Sequence, residues 1–591
     1  MYSDDKNAQV VLALLKQYGI KKIVVSPGTT NVPISRSVQL DSWFEVYSVV
    51  DERSAAYFAG GLAFESGEPV VISCTGATAS RNYLPGLTEA YYRHLPVIAL
   101  TSQHHTSDFG NLVPQITDRT VSQNDVKKIS VQLPAVKDEE DLERCVISVN
   151  RALIAATTRG NGPVHINLPV SDYSFTTKEL PAIRKIEYLD RENLIACAEN
   201  LAQELSSKKI VVFIGAHRKF NESLENALET FAVKYNASVV VDQTSSYKGK
   251  NSILLAQIAD LKQSSNLPDV IIDMGSVTGE YSVGWLGGIE TWRISEDGEI
   301  HDRFHRQTKL FDCSEERFFA VLAKRKITSV TSYYNKLAEE VKDLVVPDLP
   351  LSNTLVAYEL SRRLPAHSIL HMGILNSLRN MNFFALDKTI DASSNVGGFG
   401  IDGALSTLIG QSMVDKQKLT FGLVGDLAAF YDMNALGIRH IGKNVRILMI
   451  NNNGGVEFRL NKTLESQWAD DTNEYISAHG HNGSMRGWAE SMNFHYMSAC
   501  NKTELMSEIE SFCSPDIDKF DRPVLFEVFT EIVDEQDGWN MMREANNPTS
   551  AEPMDVPAVS KHSQARTKLK SGLKKIAPTS AKKLYRELRK R

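Results

Sequence analysis

The chain has no run of eighteen apolar residues, so no segment reads as a membrane-spanning helix. Its 591 residues hold only six cysteines, Cys74, Cys145, Cys197, Cys313, Cys500 and Cys513, and no two form a CxxC pair. That spacing argues against a cysteine-ligated zinc site. No secretory signal opens the sequence, and with scattered cysteines this predicts buried, reduced thiols and a cytoplasmic location. No short-period repeat is present, which sets solenoids aside. No compact basic–aromatic module is present either, so no nucleic-acid partner is expected.

What is present is an ordinary globular composition, 42% hydrophobic and 23% charged, on a chain too long for one core. Apolar strands alternate with amphipathic helices in three blocks, which predicts an α/β fold of three doubly wound parallel-sheet domains. The first block covers residues 1–180, the second 190–345 and the third 350–545. Proline- and charge-rich stretches at 174–192 and 341–352 read as linkers. Residues 546–591 form a tail of different character. Its first part is poor in large apolar residues and reads as flexible. Its second part is dense in Lys and Arg, so the net charge of −7 understates the acidity of the rest. Leu584, Tyr585 and Leu588 stand at helical spacing there, an apolar face with a basic rim that suits peripheral membrane contact.

The sharpest motif lies in the third block. Strand LTFGLV ends in Gly425-Asp426-Leu427, and a helix is expected over LAAFYDMNALGIRHIG. The next strand, VRILMI, ends in Asn451-Asn452-Asn453-Gly454-Gly455. Asp426 and Asn452 lie 26 residues apart, one strand–helix–strand unit. Both polar ends therefore emerge at the same edge of a parallel sheet. A carboxylate, an amide oxygen and the Gly454 carbonyl are hard oxygen ligands of the kind Mg²⁺ prefers. Gly425 and Gly455 let the backbone approach a diphosphate closely.

These residues resemble the motif of thiamine-diphosphate enzymes, which opens with GDG and closes with NN. Leu427 in third place is typical of one branch. The pieces SPGTTNVPI, VDERSAAYFAGGLA, SNVGGFGIDGALST, VGDLAAFYDMNAL and INNNGG are most similar to the menaquinone-pathway synthase family (MenD). The resemblance spans nearly the whole chain up to about residue 545. It implies pyrimidine-binding, central and diphosphate-binding domains, thiamine diphosphate with Mg²⁺ (Mn²⁺ as a substitute), and a dimer or tetramer. Active sites would lie between subunits, one chain giving Glu52 and the other Asp426.

The resemblance also distributes roles. Glu52 would hydrogen-bond the cofactor's aminopyrimidine and relay its activating proton. Pro27, Gly28, Gly76, Asn395, Gly398, Gly425, Leu427 and Gly455 would line the cofactor, with Ile401 as the apolar wedge that bends it. Asp426, Asn452 and Gly454 would hold the metal. Gln103, His104 and Gln115 are candidates for catalysis, by analogy with active-site glutamines and relay histidines of related decarboxylases. Thr29, His105 and Arg379 are candidates for substrate binding.

The substrate residues depart from the MenD pattern. Thr29-Thr30 stands where the family has an arginine after SPGS, Ser102-Gln103-His104-His105 replaces ADRP, and Val396 replaces the arginine of SNRG. The central-domain basic pair is absent from DMGSVTGEYSVGWLG. Isochorismate and 2-oxoglutarate together carry four carboxylates and need several fixed guanidinium groups. The expected reaction is therefore decarboxylation of another 2-oxo acid, followed by protonation of the remaining fragment or its carboligation to a carbonyl or enone acceptor. The menaquinone-pathway synthase itself and an inactive scaffold are the alternatives.

Overall fold

The computed structural model describes residues 1–104, 106–119, 123–258, 267–342, 344–460, 475 and 477–546. His105 and the basic tail lie outside the described residues. Contacts divide the chain into two compact units. The first combines Met1–Ala202 with Gly288–Arg325, and the second combines Gln203–Gly287 with the residues from Lys326 on.

The first unit is built on β1 (Lys22–Val25), β2 (Glu45–Ser48), β3 (Val70–Thr75), β4 (Val97–Gln103), β5 (Ile129–Gln132) and β6 (Val164–Pro169). All pair in parallel, in the order β2-β1-β3-β4-β6-β5. Successive side chains point to opposite faces, and both faces are covered. Val71, Ile98 and Leu100 pack with the helices Lys6–Gln17 and Glu139–Thr157. Val70, Ile72 and Ala99 pack with Glu52–Ser66 and Leu84–Tyr92. Each fully buried Val, Leu or Ile contributes roughly 1.5–3 kcal/mol.

The second set of strands is β7 (Glu187–Asp190), β8 (Ile210–Ile214), β9 (Ser238–Val241), β10 (Ser252–Leu254), β11 (Val270–Met274), β12 (Thr291–Ile294) and β13 (Gln307–Asp312). In the first unit β12, β13 and β7 pair in parallel, and in the second unit β10, β9, β8 and β11 do. Strand β7 falls inside the stretch read as a linker, because Leu189 is its one buried residue, beside Tyr188 and Asp190.

The third sheet comprises β14 (Ile369–Met372), β15 (Asp391–Ser394), β16 (Thr420–Gly425), β17 (Val445–Asn451), β18 (His495–Ala499) and β19 (Val524–Phe529). It is parallel throughout, in the order β15-β14-β16-β17-β19-β18. The helix expected after Gly425 is shorter than its sequence suggested. It spans only Asp426–Tyr431 before a 3₁₀ segment at Met433–Gly437. Asp432 breaks it by turning its carboxylate to the backbone N–H and hydroxyl of Ser406, at 2.6 and 2.7 Å.

Among the described residues no helix is long and apolar enough to cross a membrane. All six cysteines are free. Four are buried, but Cys197 is partly exposed and Cys500 exposed, against the expectation for them.

Candidate functional site

In the first unit the site residues gather at the C-terminal ends of β1, β3 and β4. The turn after β1 is tied down by residues the motif alone did not flag. Thr30 Oγ1 meets the Thr75 hydroxyl and donates to the Ser102 carbonyl at 2.9 Å. Asn31 accepts from Ser73 Oγ at 2.5 Å and donates to the Ser26 carbonyl at 3.1 Å. A Cβ on Gly28 would sit 2.7 Å from Thr75, so only glycine lets this turn lie against β3. Pro27 and Thr29 face solvent.

Glu52 is the first residue of its helix, whose N-terminus Asp51 caps by accepting from the Ser54 N–H at 3.0 Å. Ala55, Ala56, Ala59 and Ala63 are buried and keep this helix close to its neighbours. A Cβ on Gly86 would lie 2.5 Å from that of Ala56, so the helix Leu84–Tyr92 packs backbone-close. Just before it, Asn82 Nδ2 reaches the half-buried Glu52 carboxylate at 3.4 Å.

Gln103 ends β4, buried, with Oε1 accepting from the Arg119 guanidinium. His104 and Gln115 are exposed, Gln115 with φ of 65°. Gly76 starts the turn after β3, and a Cβ there would come within 3.2 Å of Arg119 Nη1.

In the second unit, β16 and β17 pair in register from Thr420↔Val445 to Gly425↔Ile450, which sets Asp426 beside Asn452. Asp426 is 2% exposed. Its Oδ1 accepts from the Leu427 N–H at 2.6 Å. Its Oδ2 accepts from the N–H groups of Asn452 and Gly454 and from His481 Nε2, each at 3.1 Å. Burial pushes the carboxyl above its usual range, while these donors pull the other way.

The Asn452 Oδ1 atom is buried and accepts no hydrogen bond among the described residues. An orphaned buried acceptor costs about 1–3 kcal/mol, and a bound cation would satisfy it. Open space lies beside Gly425, Gly397 and Gly398, where a Cβ would touch nothing within 4 Å. Gly454 has φ of 147°, and a Cβ there would meet His479 Cα at 2.6 Å. These residues fit a divalent cation on Asp426, Asn452 and the Gly454 carbonyl, with a diphosphate beside it. Among the described residues no group of three or more His, Cys, Asp or Glu side chains could hold a metal; the candidate set has one carboxylate, one amide and one carbonyl.

Three further residues support this loop. Glu535 is buried and accepts from the Asn353 N–H at 3.0 Å and the Thr530 hydroxyl at 2.6 Å. The Asn452 side chain bonds it as well, and burial pushes its carboxyl up to about 7. Glu527, inside apolar β19, accepts from Asn451 at 2.7 Å, Ser484 at 2.7 Å and Tyr496 at 2.8 Å. That clamp fixes the segment carrying His481. The Gly483 N–H donates to His481 Nδ1 at 3.2 Å, so the ring proton sits on Nε2, facing Asp426. Its ring packs edge-on against Phe430. The charged residue inside β19 was a visible signal in PVLFEVFTE; His481 had none.

His481 donates to the Asp426 carboxylate, so it would be an outer donor orienting that carboxylate toward a bound cation. His481→Phe keeps the ring packing and loses the donor. Mn²⁺ affinity, read by paramagnetic resonance, is expected to fall about 10–100-fold with the melting temperature unchanged. Equal affinity in the two proteins would reject this role.

The remaining predicted residues are placed as follows. Asn395 donates to Thr407 Oγ1 at 3.1 Å, at the base of the glycine-rich loop. Ile401 is partly buried and packs on the core of the third sheet. Arg379 is 6% exposed and forms an ion pair with Glu457, so its charge already has a partner within the protein.

Residues 5–129 match the family described as thiamine pyrophosphate enzyme, N-terminal TPP binding domain. Over 546 residues the chain is 31% identical to the 2-succinyl-5-enolpyruvyl-6-hydroxy-3-cyclohexene-1-carboxylate synthase of Bacteroides fragilis, covering 90% of this chain and 97% of that protein. The enzyme of the same name from Bacteroides thetaiotaomicron is 32% identical over 543 residues, covering 90% and 97%. That of Flavobacterium johnsoniae is 28% identical over 476 residues, covering 77% and 84%. The chain belongs to the thiamine-diphosphate-dependent enzymes, in the branch of the 2-succinyl-5-enolpyruvyl-6-hydroxy-3-cyclohexene-1-carboxylate synthases.

Proposed function

We propose that the protein binds thiamine diphosphate with Mg²⁺ and decarboxylates a 2-oxo acid, then releases the remaining fragment by protonation or joins it to a carbonyl or enone acceptor. The observation that carries this reading is the orphaned Asn452 Oδ1 beside buried Asp426. When bound, the cofactor supplies a nucleophilic carbon and a sink for the electrons of the broken bond. The chain's residues do the rest. Asp426, Asn452 and the Gly454 carbonyl hold the cation. Glu52 passes a proton at its carboxylate, whose Oε2 accepts from Asn82. Gln103, His104 and Gln115 orient the substrate and deliver the product's proton.

The departures at Thr29, Thr30 and Val396 favour a donor–acceptor pair other than 2-oxoglutarate with isochorismate. The menaquinone-pathway synthase reaction is the second reading, favoured by 31% identity along 97% of the Bacteroides fragilis enzyme. CO₂ release from a panel of 2-oxo acids, with and without isochorismate, separates the two. Turnover that requires isochorismate would reject the first reading. Cofactor binding without any CO₂ release would favour a scaffold instead.

The working form is a homo-oligomer, with Glu52 from one chain serving the metal loop of another. The helix Glu52–Ser66 leaves Tyr57, Phe58 and Phe64 exposed on its outer face, with Tyr92 also bare in the same unit. Such a patch fits a second copy of the chain.

A further inference from the structure

Arg119 is 4% exposed, yet its guanidinium is mostly unsatisfied. One nitrogen donates to Gln103, while Nε and Nη1 are enclosed with no partner among the described residues. Arg119 lines a cavity of about 30 Å³ in the first unit, whose polar lining also includes Ser80, Arg81, Thr101, Lys127 and His165. No carboxylate is among the described lining residues.

Three cations therefore surround one small space without a counter-charge. They feel each other. Burial and then Arg81 lower the Arg119 guanidinium to about 10, and burial and then Arg81 also lower Lys127. His165 does not add a fourth charge. It is buried, its Nε2 meets the Thr101 hydroxyl at 2.7 Å and its Nδ1 the Ser130 hydroxyl at 3.1 Å. Burial holds it far below the usual histidine range, so it forms a neutral floor.

A buried guanidinium lacking an anion is costly, and it is retained where a ligand supplies the partner. A carboxylate suits it best, because two oxygens match the planar fork. Arg119 also reaches the sheet edge: its Nη1 packs close against the turn after β3, where a Cβ on Gly76 would come within 3.2 Å of it. Gln103, at the same edge, is already held by Arg119.

We propose that Arg119, flanked by Arg81 and Lys127, is an oxyanion-binding site that takes a carboxylate carried by the substrate. The assignment of this edge as a substrate pocket rests on the thiamine-diphosphate reading; the anion site itself does not. It supplies a guanidinium where the altered SPGTT and SQHH segments supply none.

The test is calorimetric titration of the full chain, loaded with thiamine diphosphate and Mg²⁺, with glutarate, a dicarboxylate lacking a reactive carbonyl. Glutarate is expected to bind, and Arg119→Gln to weaken it about 30-fold. Arg119→Lys keeps the charge without the fork and is expected to fall between the two. Pentanoate, with one carboxylate fewer, is expected to bind more weakly. Equal binding of glutarate to wild type and Arg119→Gln would overturn the proposal. So would inorganic phosphate competing with glutarate and binding about tenfold tighter, which marks a free-anion site. If Arg119→Gln fails to fold, Arg81→Gln and Lys127→Gln carry the test, each expected to weaken glutarate several-fold; no change in either would overturn it. Tryptophan quenching by thiamine diphosphate is measured in parallel. Its absence would count against the proposed function, while glutarate binding to the same protein would still support the anion site.

Discussion

Glu52→Gln is expected to lower CO₂ release about 10²–10⁴-fold, the range assigned to a positioned proton-transfer group. The change is nearly isosteric. Gln can still take the first position of the helix and still accept from Asn82 at the 3.4 Å contact. What it loses is the acid–base function, because a carboxamide neither takes up nor releases a proton. Affinity for thiamine diphosphate with Mg²⁺ is therefore expected to stay within about fivefold, since the metal loop that dominates binding is untouched. Single-turnover CO₂ release and a quenching titration read the two quantities separately. A mutant retaining more than about a tenth of the wild-type rate would remove Glu52 from the proton relay. A mutant that loses cofactor affinity in step with rate would make Glu52 a binding residue instead.

The strand–helix alternation was readable because parallel strands buried on both faces appear as unbroken apolar runs, such as KIVV, PVVISCT and RILMI. Edge strands escaped for the same reason. DASS, EYLD and HYMSA carry half-exposed or polar residues and lack the run. Asp426 and Asn452 were legible because one strand–helix–strand unit fixes their spacing, and the parallel register brings their ends together. Arg119 and His481 were not. Each reaches its partner from a loop, and nothing in local sequence dictates where a loop returns. The departures at Thr29, Thr30 and Val396 suggested an edge stripped of guanidinium groups. Arg119 qualifies that picture, because its charge arrives at Gln103 and Gly76 from sixteen residues beyond β4. Arg379 points the other way: its place in GILNSLRN suggested a substrate contact, but Glu457 occupies it.

Asp426→Asn is expected to weaken metal binding by at least about 100-fold and to take cofactor retention with it. The carboxylate is the one anionic ligand of the proposed set, so its loss removes charge as well as one oxygen. It also disturbs the loop. An Asn side chain placed with nitrogen at the Oδ2 position would turn donors toward the N–H groups of Asn452 and Gly454, which now donate to that oxygen at 3.1 Å. Mn²⁺ titration by paramagnetic resonance checks the affinity directly, and an unchanged value would remove Asp426 from the metal site. The same variant tests the oligomer. Glu52→Gln and Asp426→Asn are each expected to be inactive alone. If each active site takes Glu52 from one chain and Asp426 from another, a mixed dimer has one intact site and one doubly defective site. Random mixing in equal amounts makes half the dimers mixed, so about a quarter of wild-type activity is expected to return. If both residues came from the same chain, every site would carry one defect and nothing would return. Recovery after unfolding and refolding the two variants together, but not after refolding them apart, distinguishes exchange of chains from residual activity of either variant.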